Sequence, residues 1–135
     1  MLFNTNQEKG RAGMSLGIAY FGANGYTVNI PLNDTQWYDF VVEKDGAFYT
    51  VQCKATGSKD NTISMRSTGG TNGGTYDTIL NHPVDYLFCL DKEMNMYVIP
   101  VKDLKEFGVN KQITLRTEKT VNNQGFQTYQ YLVSI

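Results

Sequence analysis

The sequence predicts an α/β (α+β) layer fold, a mixed β-sheet with flanking helices, and three features lead to that reading. A helix-length segment opens the chain. An Asp-Gly pair, Asp45-Gly46, then stands between two runs rich in Val, Phe and Tyr, which is the pattern of a tight β-hairpin. A second pair of apolar runs follows, closed by a short helical segment, so that helix, strands and mixed elements gather around one sheet.

Residues 10–24 suit a first helix, with Met14, Ile18 and Phe21 on one face and Gly25 as the C-terminal stop. Gly13, Gly17 and Gly22 each cost such a helix roughly 1 kcal/mol relative to alanine. Their presence implies either close packing on the sheet or a shorter, irregular helix. Residues 26–30 alternate as a strand, and residues 31–37 form a polar loop leading into the hairpin of residues 38–54. In the second hairpin strand, Thr50, Gln52 and Lys54 share one face, and Tyr49, Val51, Cys53 and Ala55 share the other. Further strands are expected at 61–66, 85–90 and 96–100, a short helix at 101–107, and two more strands within 111–135 that turn at 121–125. The glycine-rich stretch 67–75 lacks the Gly-Lys-Ser/Thr ending of a phosphate loop, and reads as a hairpin loop or a DNA-groove contact loop. With no linker or repeat, residues 1–135 read as a single domain.

Composition excludes several classes of function. Apolar content of 41%, with 13% aromatic residues, is ordinary for a globular protein. No apolar run is long enough to span a bilayer, and the N-terminus lacks the basic start and apolar stretch of a signal peptide, so no membrane partner and a cytoplasmic location are expected. Cys53 and Cys89 sit in apolar runs without metal-ligand spacing and read as buried reduced thiols. Twelve Lys+Arg against thirteen Asp+Glu give a net charge of −1, with no basic run to announce a nucleic-acid partner. A phosphate site needs only a local positive face, and a bound cation supplies part of it.

The chemistry concentrates in the hairpin. Asp39 opens its first strand, and Gln52 and Lys54 lie on one face of its second. One reading makes Gln52 and Lys54 solvent-side residues of a half-buried sheet. The other begins from the apolar surroundings, where a lysine is costly unless something anionic meets it. A metal-bound phosphate would meet it well.

Several blocks, in order, resemble the PD-(D/E)XK nucleases: Lys9-Gly10 through Gly25-Tyr26-Thr27-Val28, Pro31, Tyr38-Asp39, Gln52-Cys53-Lys54, then 64–70, 84–88 and 97–100. Within that superfamily the sequence is most similar to the group I intron-associated homing endonucleases, in which Gln commonly stands where other members carry Asp or Glu. The resemblance implies a restriction-endonuclease-like core and a Mg²⁺-dependent endonuclease acting on double-stranded DNA. It also implies a homodimer or homotetramer, because cutting both strands takes two symmetry-related sites. Asp39 would be the charged metal ligand, Gln52 a neutral amide ligand and the Cys53 carbonyl a third. Lys54 would orient or deprotonate the attacking water. Arg66, Lys59, Lys9 and Arg11 are candidate phosphate contacts, and Trp37 a candidate for packing on a base or sugar.

One position departs from the family pattern. Members usually add a Glu from the first helix, and that position falls here on Met14, with Glu8 and Asp34 as possible substitutes. His82 precedes Pro83 and matches no catalytic arrangement. Two further readings therefore stand beside the homing-endonuclease one: a structure-specific nuclease similar to Holliday junction resolvases, and a catalytically inactive DNA-binding or assembly module that keeps the fold.

Overall fold

The computed structural model describes residues 5–33, 35–66, 77–122 and 124–135. Helix α1 (Asn6–Ala23) leads into β1 (Thr27–Asn29), the hairpin β2 (Phe40–Lys44) and β3 (Ala47–Ala55), and the short β4 (Thr62–Ser64). A 3₁₀ turn (Ile79–Asn81) precedes β5 (Tyr86–Leu90), β6 (Met96–Pro100), α2 (Val101–Phe107) and β7 (Gln112–Thr114). A second 3₁₀ turn (Thr128–Tyr131) runs into β8 (Leu132–Val133). Six strands form one mixed sheet in the order β1-β2-β3-β5-β6-β8, in which only the central β3–β5 pair is parallel. Strands β4 and β7 pair separately. Among the described residues no helix is long and apolar enough to cross a membrane.

The hairpin forms as expected. Lys44 pairs with Ala47, leaving Asp45 (φ 54°) and Gly46 (φ 83°) as a two-residue turn with both residues left-handed. That is the turn an Asp-Gly pair favours, because its twist matches that of the flanking strands. Helix α2 matches the expected range and ends on Gly108 at φ 91°, the left-handed cap glycine tolerates best.

Helix α1 begins four residues earlier than expected. The Thr5 hydroxyl accepts the Glu8 N–H at 3.1 Å and caps the helix from Asn6, a start that Gly10 and Gly13 obscure in the sequence. The face turned to the sheet is also corrected. The buried positions are Gly13, Gly17 and Phe21, with Met14 and Ile18 half-buried at the flank. The glycines thus serve close approach. A β-carbon at Gly17 would lie 2.9 Å from Cys53 Sγ and 3.3 Å from Phe88 Cδ1, and one at Gly13 would touch Ala55 at 3.4 Å. Gly17→Ala should therefore destabilise the fold by about 1–2 kcal/mol in spite of its better helix propensity, since overpacking outweighs it. Gly10→Ala, with nothing within 4 Å of its β-carbon, should stabilise by about 0.5–1 kcal/mol; chemical denaturation of both checks the contrast.

The C-terminal region also differs from expectation. Strands β7 and β8 do not pair with each other across residues 121–125: β7 pairs with β4, and β8 with β6 at the sheet edge. Alternation indicates a strand but not its partner, and here the partners are distant in sequence.

The sheet separates two apolar clusters. On the α1 side, Phe21, Phe40, Val42, Val51 and Phe88 form an aromatic core joined by Met14, Tyr20, Cys53 and Tyr86. On the other side, Ile63, Met65, Ile79, Leu87, Cys89, Tyr97, Ile99 and Leu104 pack beneath the β4–β7 pair and α2. Buried Asp91 closes the β5–β6 turn, accepting bonds from the Glu93 and Asn95 backbone, Asn95 Nδ2 and Tyr97 OH. Both cysteines are free thiols, and burial pushes the Cys53 thiol well above its ordinary range.

Candidate active site

The site arises where β2 and β3 part. Phe40 is the first β2 residue paired with β3, opposite Val51, and the preceding Asp39 N–H still donates to the Val51 carbonyl at 2.8 Å. Beyond that point β2 no longer accompanies β3, and the Cys53 N–H would lose its ladder partner. Asp39 supplies one: its Oδ2 accepts the Cys53 N–H at 2.7 Å. Within a strand the N–H and C=O of one residue point to the same side, so the Cys53 carbonyl faces the same gap as the Asp39 carboxylate. The other Asp39 oxygen takes no hydrogen bond among the described residues.

Gln52 and Lys54 stand on the opposite face of β3 from Cys53. Their parallel partners Leu87 and Cys89 belong to the core beneath β4, whereas Val51 and Cys53 belong to the α1 side. Gln52 is half-buried, and its Nε2 lies 3.4 Å from the Cys53 carbonyl. Turning the amide over presents Oε1 to the same region. Lys54 is also half-buried and donates from Nζ to the Arg66 carbonyl at 2.8 Å.

Both charged groups are held away from their ordinary ionisation. Burial raises the Asp39 pKa, opposed by the Cys53 hydrogen bond and by Lys54. Burial lowers the Lys54 pKa, opposed by Cys89 and Asp39. The two shifts share one main cause, burial, and each group partly offsets the shift of the other.

The oxygen donors fit a hard divalent cation: one carboxylate oxygen without a partner, one amide oxygen and one backbone carbonyl. Among the described residues no three His, Cys, Asp or Glu side chains come together, so a cation here would rest on a single carboxylate and neutral oxygens. Met14 does not add a ligand. It packs against the aromatic cluster on the α1 side. Glu8 is exposed in the first turn of α1, and Asp34 lies outside the described residues, as does the 67–75 stretch.

The remaining candidates separate. Arg66 is close to the site, since its carbonyl holds Lys54. Lys9 shares a cleft with Lys54. Lys59 lines a different cleft with Asp60, Asn61 and Arg116, and its carbonyl accepts from Lys92 Nζ. Arg11 is exposed, turned about 200° around α1 from buried Gly13 and hence away from β3. Trp37 is not open on both faces: it stacks on His82 with ring centroids 3.3 Å apart and 7° between planes. His82 in turn meets Asp77 Oδ2 at 2.8 Å, and this hydrogen bond holds the Asp77 carboxyl below its usual range. His82 therefore bridges Asp77 and Trp37. With Asp77 and Trp37 it pins the segment that delivers Asp39, two residues beyond Trp37. Nothing in the His-Pro pair signals this, because the contact to Trp37 is far apart in sequence.

Where β2 leaves β3, a carboxylate, an amide and a half-buried lysine thus lie on or beside one strand. The chain belongs to the PD-(D/E)XK endonuclease family, whose model matches residues 4–131, well beyond the blocks legible by eye. Membership supports nuclease activity, and PD-(D/E)XK nucleases generally use divalent metal ions. Among solved structures the fold is similar to the bacterial homing endonuclease I-Ssp6803I, with a TM-score of 0.75 at 21% identity over 96% of this chain and 89% of that one. No curated protein sequence gives a significant match.

Proposed function

We propose that the chain is a Mg²⁺-dependent endodeoxyribonuclease of homing-endonuclease type, one domain spanning residues 1–135, that cleaves double-stranded DNA as a homodimer or homotetramer. The observation that carries this reading is the Asp39 carboxylate held by the Cys53 N–H where β2 leaves β3, with Gln52 and Lys54 on either side of Cys53 along the strand. Asp39, the Gln52 amide oxygen and the Cys53 carbonyl would hold the cation. Bound there, Mg²⁺ supplies charge relief on the scissile phosphate and lowers the pKa of the attacking water.

The protein's own contribution centres on Lys54. Its ammonium has three donors, one committed to the Arg66 carbonyl, which leaves two for a phosphate oxygen and the attacking water. Its depressed pKa brings proton exchange with that water closer to neutral pH. The Cys53 N–H fixes the Asp39 carboxylate, and the Trp37–His82 stack steadies the approach to it. One such site cuts one strand, so duplex cleavage calls for a symmetric pair. A Mg²⁺ titration of cleavage on a linear duplex and on a four-way junction tests the mode. The homing-type reading expects the duplex to be cut at least as fast, and preference for the junction would replace it with the resolvase-like reading.

A second reading is favoured by Met14, half-buried against the aromatic cluster, which leaves one carboxylate where the family usually brings two. On that reading the chain binds DNA without cutting it. Met14→Glu bears on both. A carboxylate set against the apolar cluster on the α1 side should lower stability by about 1–3 kcal/mol without reducing the Mg²⁺ requirement. An unchanged melt with a lower Mg²⁺ requirement would instead place residue 14 at the metal.

A further inference from the structure

Beside the site, a cleft of about 420 Å³ is lined by Lys9, Lys54, Thr56, Ser58, Thr62 and Ser64, together with Ala55 and Ile63. Among the described residues the lining has two lysines, four hydroxyls and no carboxylate. Lys9 continues the Gly13–Gly17–Phe21 stripe one turn toward the start of α1, which is why it is half-buried over the end of β3. Its ammonium has no hydrogen bond or ion pair among the described residues. Facing it, Ser58 organises a ledge: its hydroxyl meets Thr56 Oγ1 at 3.0 Å and Thr62 Oγ1 at 3.3 Å, and accepts the Thr62 N–H at 3.0 Å. A larger cleft of about 490 Å³ around Asp91, Glu93, Arg116, Glu118 and Lys119 mixes both signs of charge and has no such preference.

We propose that the Lys9–Lys54 cleft is a second phosphate site, taking the backbone phosphodiester next to the scissile one on the same DNA strand. The proposal rests on the endonuclease reading and extends it. Lys54 is the shared wall: it reaches the scissile group from one side and borders the cleft on the other. The Lys9 ammonium, with no carboxylate in the lining among the described residues, calls for an anion, and the Ser64 hydroxyl and the one ledge proton not used within it can donate to the anion's oxygens. A cleft that positions the strand in this way holds it by charge and not by base sequence. It also supplies local positive charge that the overall −1 does not.

The test is fluorescence anisotropy of a labelled DNA duplex across a KCl series, with Ca²⁺ replacing Mg²⁺. Lys9→Gln should bind several-fold more weakly at low salt, and the slope of log affinity against log salt should fall by about 0.9, the loss of one phosphate contact. Lys9→Arg should restore the slope. Ser64→Asp, on the exposed face of β4, adds the carboxylate the lining lacks and should weaken binding about tenfold, which keeps the test independent of any folding defect at residue 9. Wild-type slope and affinity in both Lys9→Gln and Ser64→Asp would overturn the cleft. Cleavage of the same duplex by the wild type in Mg²⁺ separates the two claims. Altered slopes without cleavage support the cleft and contradict the nuclease reading, cleavage with unaltered slopes does the reverse, and no binding by the wild type overturns both.

Discussion

Lys54→Ala is expected to lower the rate of DNA cleavage by about 10²–10³-fold, the scale of losing one preorganised donor to a developing charge. The loss should fall on kcat more than on KM, because on the proposed mechanism the ammonium would meet charge that grows only as the reaction proceeds. Fold disruption does not explain such an effect. Removing a half-buried lysine whose pKa burial already depresses relieves an unfavourable desolvation, while freeing the Arg66 carbonyl costs one hydrogen bond. The two oppose each other, so the melting temperature should move little. Single-turnover kinetics at saturating DNA, beside a thermal melt, check both parts.

Asp39→Asn should abolish Mg²⁺-dependent cleavage and, at neutral pH, raise the melting temperature. The asparagine oxygen can still accept the Cys53 N–H, so the link across the gap survives while the charge that would hold the cation is gone. The stability gain follows from the direction of the Asp39 shift. Burial raises its folded pKa, so between the ordinary carboxylate value and that raised value the folded chain retains a proton the unfolded chain has released. The contribution of Asp39 to stability is thus greatest at low pH and is lost as pH rises through the folded pKa. The difference in melting temperature between Asp39→Asn and wild type should accordingly grow from pH 4 to pH 7. A constant difference would mean that burial does not penalise the carboxylate.

What the sequence reveals here is local, and what it conceals depends on contacts between distant segments. Asp45-Gly46 dictates its own turn, and period-two alternation assigns Gln52 and Lys54 to one face, so the hairpin and its polar pair are readable directly. The role of Asp39 as a substitute ladder acceptor is not readable, because it depends on β2 ending at Phe40. The first helix misleads in a specific way. Its apolar residues suggest a face through Met14 and Ile18, yet the face that meets β3 is the one with the least side chain, Gly13 and Gly17, since close approach needs small residues and hydrophobicity does not mark them. Pairing of β7 with β4 and of β8 with β6, and the stacking of Trp37 on His82, join segments that no local pattern links.

Nicking of supercoiled plasmid, run with wild type and Lys54→Ala side by side in Mg²⁺ and in EDTA, tests the central claim most directly. The expected result is conversion to nicked or linear DNA by the wild type in Mg²⁺ alone, with the variant at least about 10²-fold slower. Equal nicking by the two proteins, or none by a wild type that binds the same DNA, would contradict the assignment of Asp39, Gln52 and Lys54 as a metal-dependent nuclease site.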